Sequence, residues 1–430
     1  MNAPALSPQA RYAVLFAAIG GLLFDGVELG LMPVASLSVS QSLLGDAYTP
    51  TLGGDWFARF TAALMLGAAV GGIFLGSLGD RIGRTLALGI SILFYSVFAG
   101  LGALVRTQEQ MLALRFLVGL GVGGVWPNAV ASAAECWPDK SRPIVAGLMG
   151  AALNGGILML SQIARTWHIT PESWRWIFWL ATAPAVLGVL VLVGLPESPL
   201  WLASRRRATQ MGLLTDGPTL PSPAPAVSPV RELFRPPLLR LTIIGILLGS
   251  IPMVGAWAAS KWMIPWADKV GGVTAAGYKA VTQGWWALGA VLGSFCGAQV
   301  AAWLGRRRAY AVISAGATAL TLLMFLGTAP LQASFLPIVF AQGFVATLFF
   351  GWLPLYLPEL FPTQVRAAGS GIAYNVGRFA TAIGVFFAGI LFAAVGGSYS
   401  RVGSLCGLIY LLGLIVIWWA PDTSTRKLQE

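Results

Sequence analysis

Charged residues are scarce in this sequence. Only 10% of its 430 residues are Asp, Glu, Lys or Arg, against about 25% in a typical soluble domain. So few charges cannot cover the water-facing surface of a soluble protein of this length, so a string of soluble domains is excluded. Cysteine is nearly absent. Cys136, Cys296 and Cys406 are the three in the chain; they fall in or beside apolar segments and form no disulfide or metal-binding spacing. They read as small packing residues. The single histidine, His168, sits beside Trp167 in a loop and reads as incidental. No zinc spacing, phosphate-binding loop or catalytic triad is visible. Gly119, Gly121, Gly123 and Gly124 follow no strand, so they read as a helix-packing stripe rather than a nucleotide fingerprint. An enzyme is therefore not expected, and neither is a cofactor or a metal. The N-terminus lacks a signal-cleavage pattern, so its first apolar run reads as a retained span.

What the chain has instead is apolar length. It is 57% hydrophobic, with a mean hydropathy of +0.76. Continuous apolar runs recur that are long enough to cross a ~30 Å hydrocarbon layer. They lie at roughly 12–36, 56–77, 85–105, 109–134, 143–164 and 175–195, and then at 238–262, 280–302, 308–328, 332–357, 367–394 and 398–420. Barrel strands would alternate over about ten residues; these runs do not. The expected fold is an all-α membrane protein with twelve transmembrane helices in two six-helix bundles. The bundles would cover 1–195 and 238–430, joined by a linker at 196–237 whose Pro-, Ser- and Ala-rich stretch Asp216–Pro229 should be mobile. The 53 glycines suit close helix packing in a bilayer.

The net charge of +11 does not point to nucleic acid, because the basic residues form short clusters between apolar runs. Of the 27 Lys and Arg, 17 fall on one alternate set of connections. That set should be cytoplasmic, placing both termini inside a multi-pass protein of the cell (inner) membrane. Arg205–Arg207 reads as part of this topology signal. A monomer in the lipid bilayer is expected.

The halves repeat. Gly83-Arg84 recurs as Gly305-Arg306, and Glu135 with Arg142 recurs as Glu359 with Arg366. The offsets are nearly equal, as duplicated units require. A repeat of this kind in a membrane protein suggests a substrate path between halves that rock against one another.

These residues also carry a resemblance. Gly76-Ser-Leu-Gly-Asp80-Arg81-Ile-Gly83-Arg84 resembles the loop signature of the major facilitator superfamily, and Arg115-Phe-Leu-Val-Gly119-Leu-Gly121-Val-Gly123 its fourth-helix pattern. Pro196-Glu197-Ser198-Pro199-Leu200-Trp201-Leu202 is similar to the sixth-helix ending of sugar porters, and Pro421-Asp422-Thr423 to their C-terminal signature. In the second loop copy Ala302 stands in the place of Asp80. Asp25-Gly26-Val27-Glu28 resembles the Asp-Gly-aromatic-Asp motif of aromatic-acid/proton symporters, with Val for the aromatic residue and Glu for the second acid; Trp126-Pro127-Asn128-Ala129 also looks like that group. Leu360–Arg366 through Tyr374-Asn375-Val376-Gly377-Arg378 is similar to the sialate and lactate branch. The resemblance implies a secondary transporter. It also implies that Asp80, Arg84, Glu135, Arg142, Glu197, Arg306, Glu359, Arg366 and Asp422 latch the halves at the cytoplasmic side when the transporter faces outward.

Charges deep in a span are costly and usually functional. Four stand out: Asp25, Glu28, Arg115 and Arg378. Asp25 and Glu28 share a helical face. Counting ~1.5 Å per residue puts Asp25 about 20 Å above the inner face and Arg115 about 9 Å below the outer one, so an Asp25–Arg115 pair is expected. Protonating the acid would break it; Glu28 is the second candidate for that role, and a static ion pair is the alternative. Arg378 falls about 16 Å deep, with Asn375 one turn away. It would anchor a carboxylate through two hydrogen bonds. Trp257, Trp262, Trp285, Trp286, Phe349, Trp352 and Tyr356 are candidates to line a cavity, as are Tyr374, Asn128, Trp126, Asn154 and Gln283. Lys261 reads as snorkelling to the outer edge. The leading function is proton-coupled symport of a small organic anion. A sugar or polyol symporter, an exporter of amphipathic compounds and a non-transporting membrane sensor are the rivals. Span 7 offers Ser250, Trp257 and Ser260 but no paired glutamines for a sugar.

Overall fold

Lipid supplies no hydrogen bonds to a backbone, so each apolar run closes its own as a helix. In the computed structural model, which describes residues 6–136, 142–199, 201–203, 205, 229–362 and 365–423, the described residues contain twelve helical segments long and apolar enough to span. We number them α1 (Pro8–Ala47), α2 (Pro50–Gly79), α3 (Arg84–Leu104), α4 (Gln108–Ala133), α5 (Gly147–Thr166) and α6 (Arg175–Gly194) in the first half. In the second are α7 (Leu238–Gly271), α8 (Tyr278–Leu304), α9 (Arg306–Gly327), α10 (Phe335–Leu360), α11 (Gly369–Ala394) and α12 (Tyr399–Trp419). The helices carrying α2 and α4 run on to Ile82 and Cys136, and those carrying α5 and α11 begin at Arg142 and Arg366. The linker stretch Asp216–Pro229 lies almost wholly outside the described residues.

Local chemistry sets the helix ends. Ser7 caps α1 by accepting from the Ala10 N–H, and Thr49 caps α2 by accepting from Leu52, each with proline in the first turn. That is where a residue without an N–H costs nothing. Gly83 (φ 116°) and Gly305 (φ 81°) make the α2–α3 and α8–α9 turns, a backbone region side chains avoid, so the repeated Gly-Arg pair is a repeated turn.

The halves repeat in their packing too. In the first, Gly67, Gly71, Gly119 and Gly123 let α2 and α4 meet backbone to backbone; in the second, Gly289, Gly293, Gly297, Gly343 and Gly351 do the same for α8 and α10. The two bundles meet along two seams, α5 against α8 and α2 against α11. α1 begins and α12 ends at the same end of the bundle, here the terminal face; the α1–α2 and α7–α8 connections lie at the far face.

α7 outruns its expected end at 262. Its α-helix stops at Val254, continues as a π turn (Gly255–Ala259) and a tight 3-10 turn (Ser260–Trp262), and resumes from Met263 to Gly271. Gly255 is wedged against the Tyr410 ring of α12. Asp268 and Lys269 made that last stretch look polar, but Asp268 is neutralised by Lys279 of α8 at 3.0 Å.

Candidate functional site

The seams enclose a central cavity lined by α1, α2, α4, α5, α7, α8, α10 and α11. Most of its wall is apolar. Its charged groups are Asp25 from the first half and Lys261 and Arg378 from the second. Trp126, Tyr374, Trp257 and Trp286 supply the aromatic surface, and Asn154, Thr347 and Thr381 the neutral polar atoms.

The expected Asp25–Arg115 pair does not form. Arg115 Nη1 instead meets Glu28 Oε2 at 3.0 Å, with both side chains at most 1% exposed. Glu28 lies one turn further along α1, and that turn brings its carboxylate level with the guanidinium. Arg115 also stacks over the Phe178 ring at 5.4 Å. Its Nε and Nη2 and the second Glu28 oxygen have no hydrogen-bond partner among the described residues. Asp25 is equally buried and faces the cavity with Oδ1 unpartnered, within electrostatic range of Arg378 and Glu28.

Arg378 reaches across the seam. Its Nη1 donates to the carbonyls of Ala68 on α2 (3.2 Å) and Gly123 on α4 (3.4 Å). The guanidinium also lies over Tyr374, which stacks on Trp126 of α4 with a 10° interplanar angle. Asn154 lines the cavity and donates to Ser294 on α8 at 3.0 Å.

Four expected contact residues stand elsewhere. Asn128 is fully buried and spends its amide on the Leu75 and Gly124 carbonyls, tying α4 to α2. Asn375 points at Gly72 of α2, on the seam rather than the cavity wall. Gln283 donates to Ser161 at 3.1 Å between α8 and α5. Trp352 is packed in the second half's core, stacked on Tyr356 and donating to the Arg306 carbonyl. Their residue types suit a ligand, but helical phase turns each side chain away from the cavity. Of the other aromatics, Trp286 lines the cavity, whereas Trp262, Phe349 and Tyr356 pack in cores and Trp285 is 41% exposed.

Lys261 is not at the edge. It is 1% exposed on the 3-10 turn of α7. Its Nζ lies 3.6 Å from the Trp286 ring centre and 5.4 Å from that of Trp257, with no hydrogen-bond acceptor among the described residues. The apolar stretch Met263–Ile264–Pro265 beyond it was the signal that the span continues. Another residue the sequence hid is Gln342 of α10. It accepts from Trp286 Nε1 (2.7 Å) and donates to Ser260 (2.6 Å) and Thr321 (3.2 Å), so it fixes the indole beneath Lys261.

The far face is closed. Lys279, 3% exposed, donates to Ser38 Oγ of α1 (3.1 Å), to the Ile169 carbonyl (3.0 Å) and to Asp268 (3.0 Å). Beside it, Phe57 of α2 meets Trp262 edge-on, and Trp262 stacks on Phe392 of α11.

At the terminal face two charged triads each form within one half. Arg84 meets Glu135 (3.4 Å), which also accepts from Ser198 Oγ. Arg306 meets Glu359 (2.8 Å), which also accepts from Thr423 Oγ1. The two triads are counterparts, so the Pro421-Asp422-Thr423 ending answers Pro196-Glu197-Ser198. Glu197 accepts from the Arg84 and Thr85 backbone N–H groups. It therefore caps α3, favoured by the helix dipole. The side chains of Asp80, Arg142 and Arg366 lie outside the described residues.

Comparison with known proteins agrees with this architecture. The chain is 30% identical over 404 residues to the cis,cis-muconate transport protein of Acinetobacter baylyi, covering 94% of this chain and 92% of that one. It is 29% identical over 373 residues to a probable 4-methylmuconolactone transporter of Cupriavidus pinatubonensis, covering 84% and 81%. Its fold is similar to the partially occluded inward-open xylose transporter XylE from E. coli, with a TM-score of 0.73 at 17% identity, covering 98% of this chain and 100% of that one. The model of the Major Facilitator Superfamily matches residues 17–384, and the chain belongs to that family of membrane transporters.

Proposed function

We propose that the protein is a proton-coupled symporter of small organic carboxylates, working by alternating access, with the terminal face in the cytoplasm. The observation that carries the reading is Arg378: a cation lining an apolar, aromatic-walled cavity and donating to neutral carbonyls of the opposite half. A carboxylate offers a guanidinium two charge-assisted hydrogen bonds, stronger than those to neutral acceptors. Substrate would draw Arg378 off Ala68 and Gly123 and so loosen α11 from α2 and α4. Residues 1–195 and 238–430 would be the two bodies that rock, joined by 196–237.

Glu28 is the coupling acid in this reading. While ionised it holds Arg115; once protonated it cannot, and the two protonation states favour different arrangements of α1 and α4, a population shift. Asp25 shares its helical face and opens onto the cavity, so it is the acid through which the proton passes. The names of the relatives support the substrate class, since muconate is an organic acid. A sugar is the poorer fit. The one amide among the described lining residues, Asn154, already donates to Ser294.

Proteoliposomes with an imposed pH gradient test the scheme. Glu28→Gln should abolish accumulation of a carboxylate yet keep exchange of labelled for unlabelled substrate, and Arg378→Ala should lose both. Full pH-driven accumulation in both Glu28→Gln and Asp25→Asn would refute the coupling assignment, and normal transport by Arg378→Ala the anchor.

A further inference from the structure

Lys261 has no task in that scheme. A buried ammonium without an acceptor is expensive to keep, and two indole rings satisfy only its faces. Its remaining N–H groups have no acceptor among the described residues, and the side chain lines the cavity. The broken backbone of α7 sets it there, and irregular turns inside membrane helices are tolerated where they line a cavity. Gln342 locks Trp286, the ring against which the ammonium rests.

We infer that Lys261 is a second carboxylate anchor in the same cavity as Arg378, and that the preferred substrate is a dicarboxylate. This deepens the carboxylate reading above and rests on it. Charge supports it. Glu28 and Arg115 cancel, leaving Asp25 against Lys261 and Arg378. One proton taken up on either acid leaves two uncompensated positive charges, which two carboxylates neutralise. Placement supports it as well: Lys261 on α7 and Arg378 on α11 line the same cavity, so one diacid can meet both.

The test uses two acids that differ in one carboxylate: trans,trans-muconate and sorbate, its six-carbon dienoic monoacid. Binding is measured by calorimetry on the purified full-length protein. Wild type should prefer the diacid. Lys261→Met should weaken muconate roughly 10- to 100-fold, the range for a lost hydrogen bond to a charged group, and leave sorbate within about threefold by the same reasoning. Lys261→Arg should restore the preference, which separates charge from packing. Arg378→Met should weaken both acids. If Lys261→Met binds muconate as wild type does, or loses both acids equally while Lys261→Arg keeps no preference, the second anchor is wrong and the carboxylate reading stands. If wild type binds neither acid, both fall.

Discussion

The lock at the far face makes a quantitative prediction. Lys279 belongs to α8, and two of its three acceptors, Ser38 Oγ and the Ile169 carbonyl, belong to the first half. Opening that face must break these two bonds while the bond to Asp268, within the second half, can persist. A hydrogen bond to a charged group contributes about 1.5–3 kcal/mol. Taking the low end for each, the cross-half pair favours the closed face by about 3 kcal/mol, a factor of about 10² in population. Lys279→Met removes it and frees Asp268, which adds to the push; Ser38→Ala removes one bond and should shift the balance about tenfold. Phe57, Trp262 and Phe392 still pack, so the open state gains population without becoming exclusive. Spin labels at Glu172 and Val273, both exposed on far-face connections, report the gap by pulsed dipolar distances in liposomes, with Cys136, Cys296 and Cys406 replaced by Ser. A longer-distance population should grow from wild type to Ser38→Ala to Lys279→Met. Indistinguishable distance distributions in wild type and Lys279→Met would refute the lock.

Three further outcomes follow from packing and capping. Glu197→Ala leaves the first N–H groups of α3 uncapped and should cost about 1–2 kcal/mol, read as a lower thermal midpoint with the binding affinity for carboxylates unchanged. Gln342→Leu strands Trp286 Nε1 and removes the donor to Ser260 and Thr321. At about 1–3 kcal/mol for a buried unsatisfied group it should lower the midpoint by several degrees, and transport should fall with it because the ring under Lys261 is released. Gly26→Val puts its Cβ into the Leu153 carbonyl where α1 crosses α5, so the variant should lose its monodisperse peak in detergent, while Gly155→Ala, with open space around it, should behave as wild type.

The fold was legible because its signals are long and redundant: twelve apolar runs, the charge bias of their connections, and a doubled Gly-Arg and Glu-Arg pattern. Span ends were less so. The expected end of α7 at 262 failed because Asp268 and Lys269 look like a solvent-facing terminus, whereas Asp268 is paired with Lys279. Site residues were legible where charge alone decided. Asp25, Glu28, Arg115 and Arg378 are buried in the bundle or at its cavity. Partners were less legible: Asp25 and Glu28 share a face one turn apart, a difference within the error of counting depth from uncertain span ends, and Arg115 holds the second of them. Neutral polar residues fared worst, because Asn128, Gln283 and Gln342 serve helix contacts as readily as a ligand, and only the three-dimensional arrangement tells which.

The asymmetry between the halves also constrains how a cycle could run. The acids and Arg115 belong to the first half; Lys261, Arg378 and Lys279 belong to the second. The cross-seam hydrogen bonds of Arg378 and Lys279 among the described residues go to neutral oxygens of the first half: Ala68 and Gly123 for Arg378, Ser38 and Ile169 for Lys279. Such bonds are directional enough to hold a state and weak enough to lose to a carboxylate. In the proposed cycle an anion entering the cavity therefore competes only with the Arg378 contacts, since Lys279 lies apart at the far face. Binding would loosen one end of the bundle and leave the other fastened. That selectivity is what alternating access demands, because a ligand shifts an equilibrium only by its differential affinity for the two states.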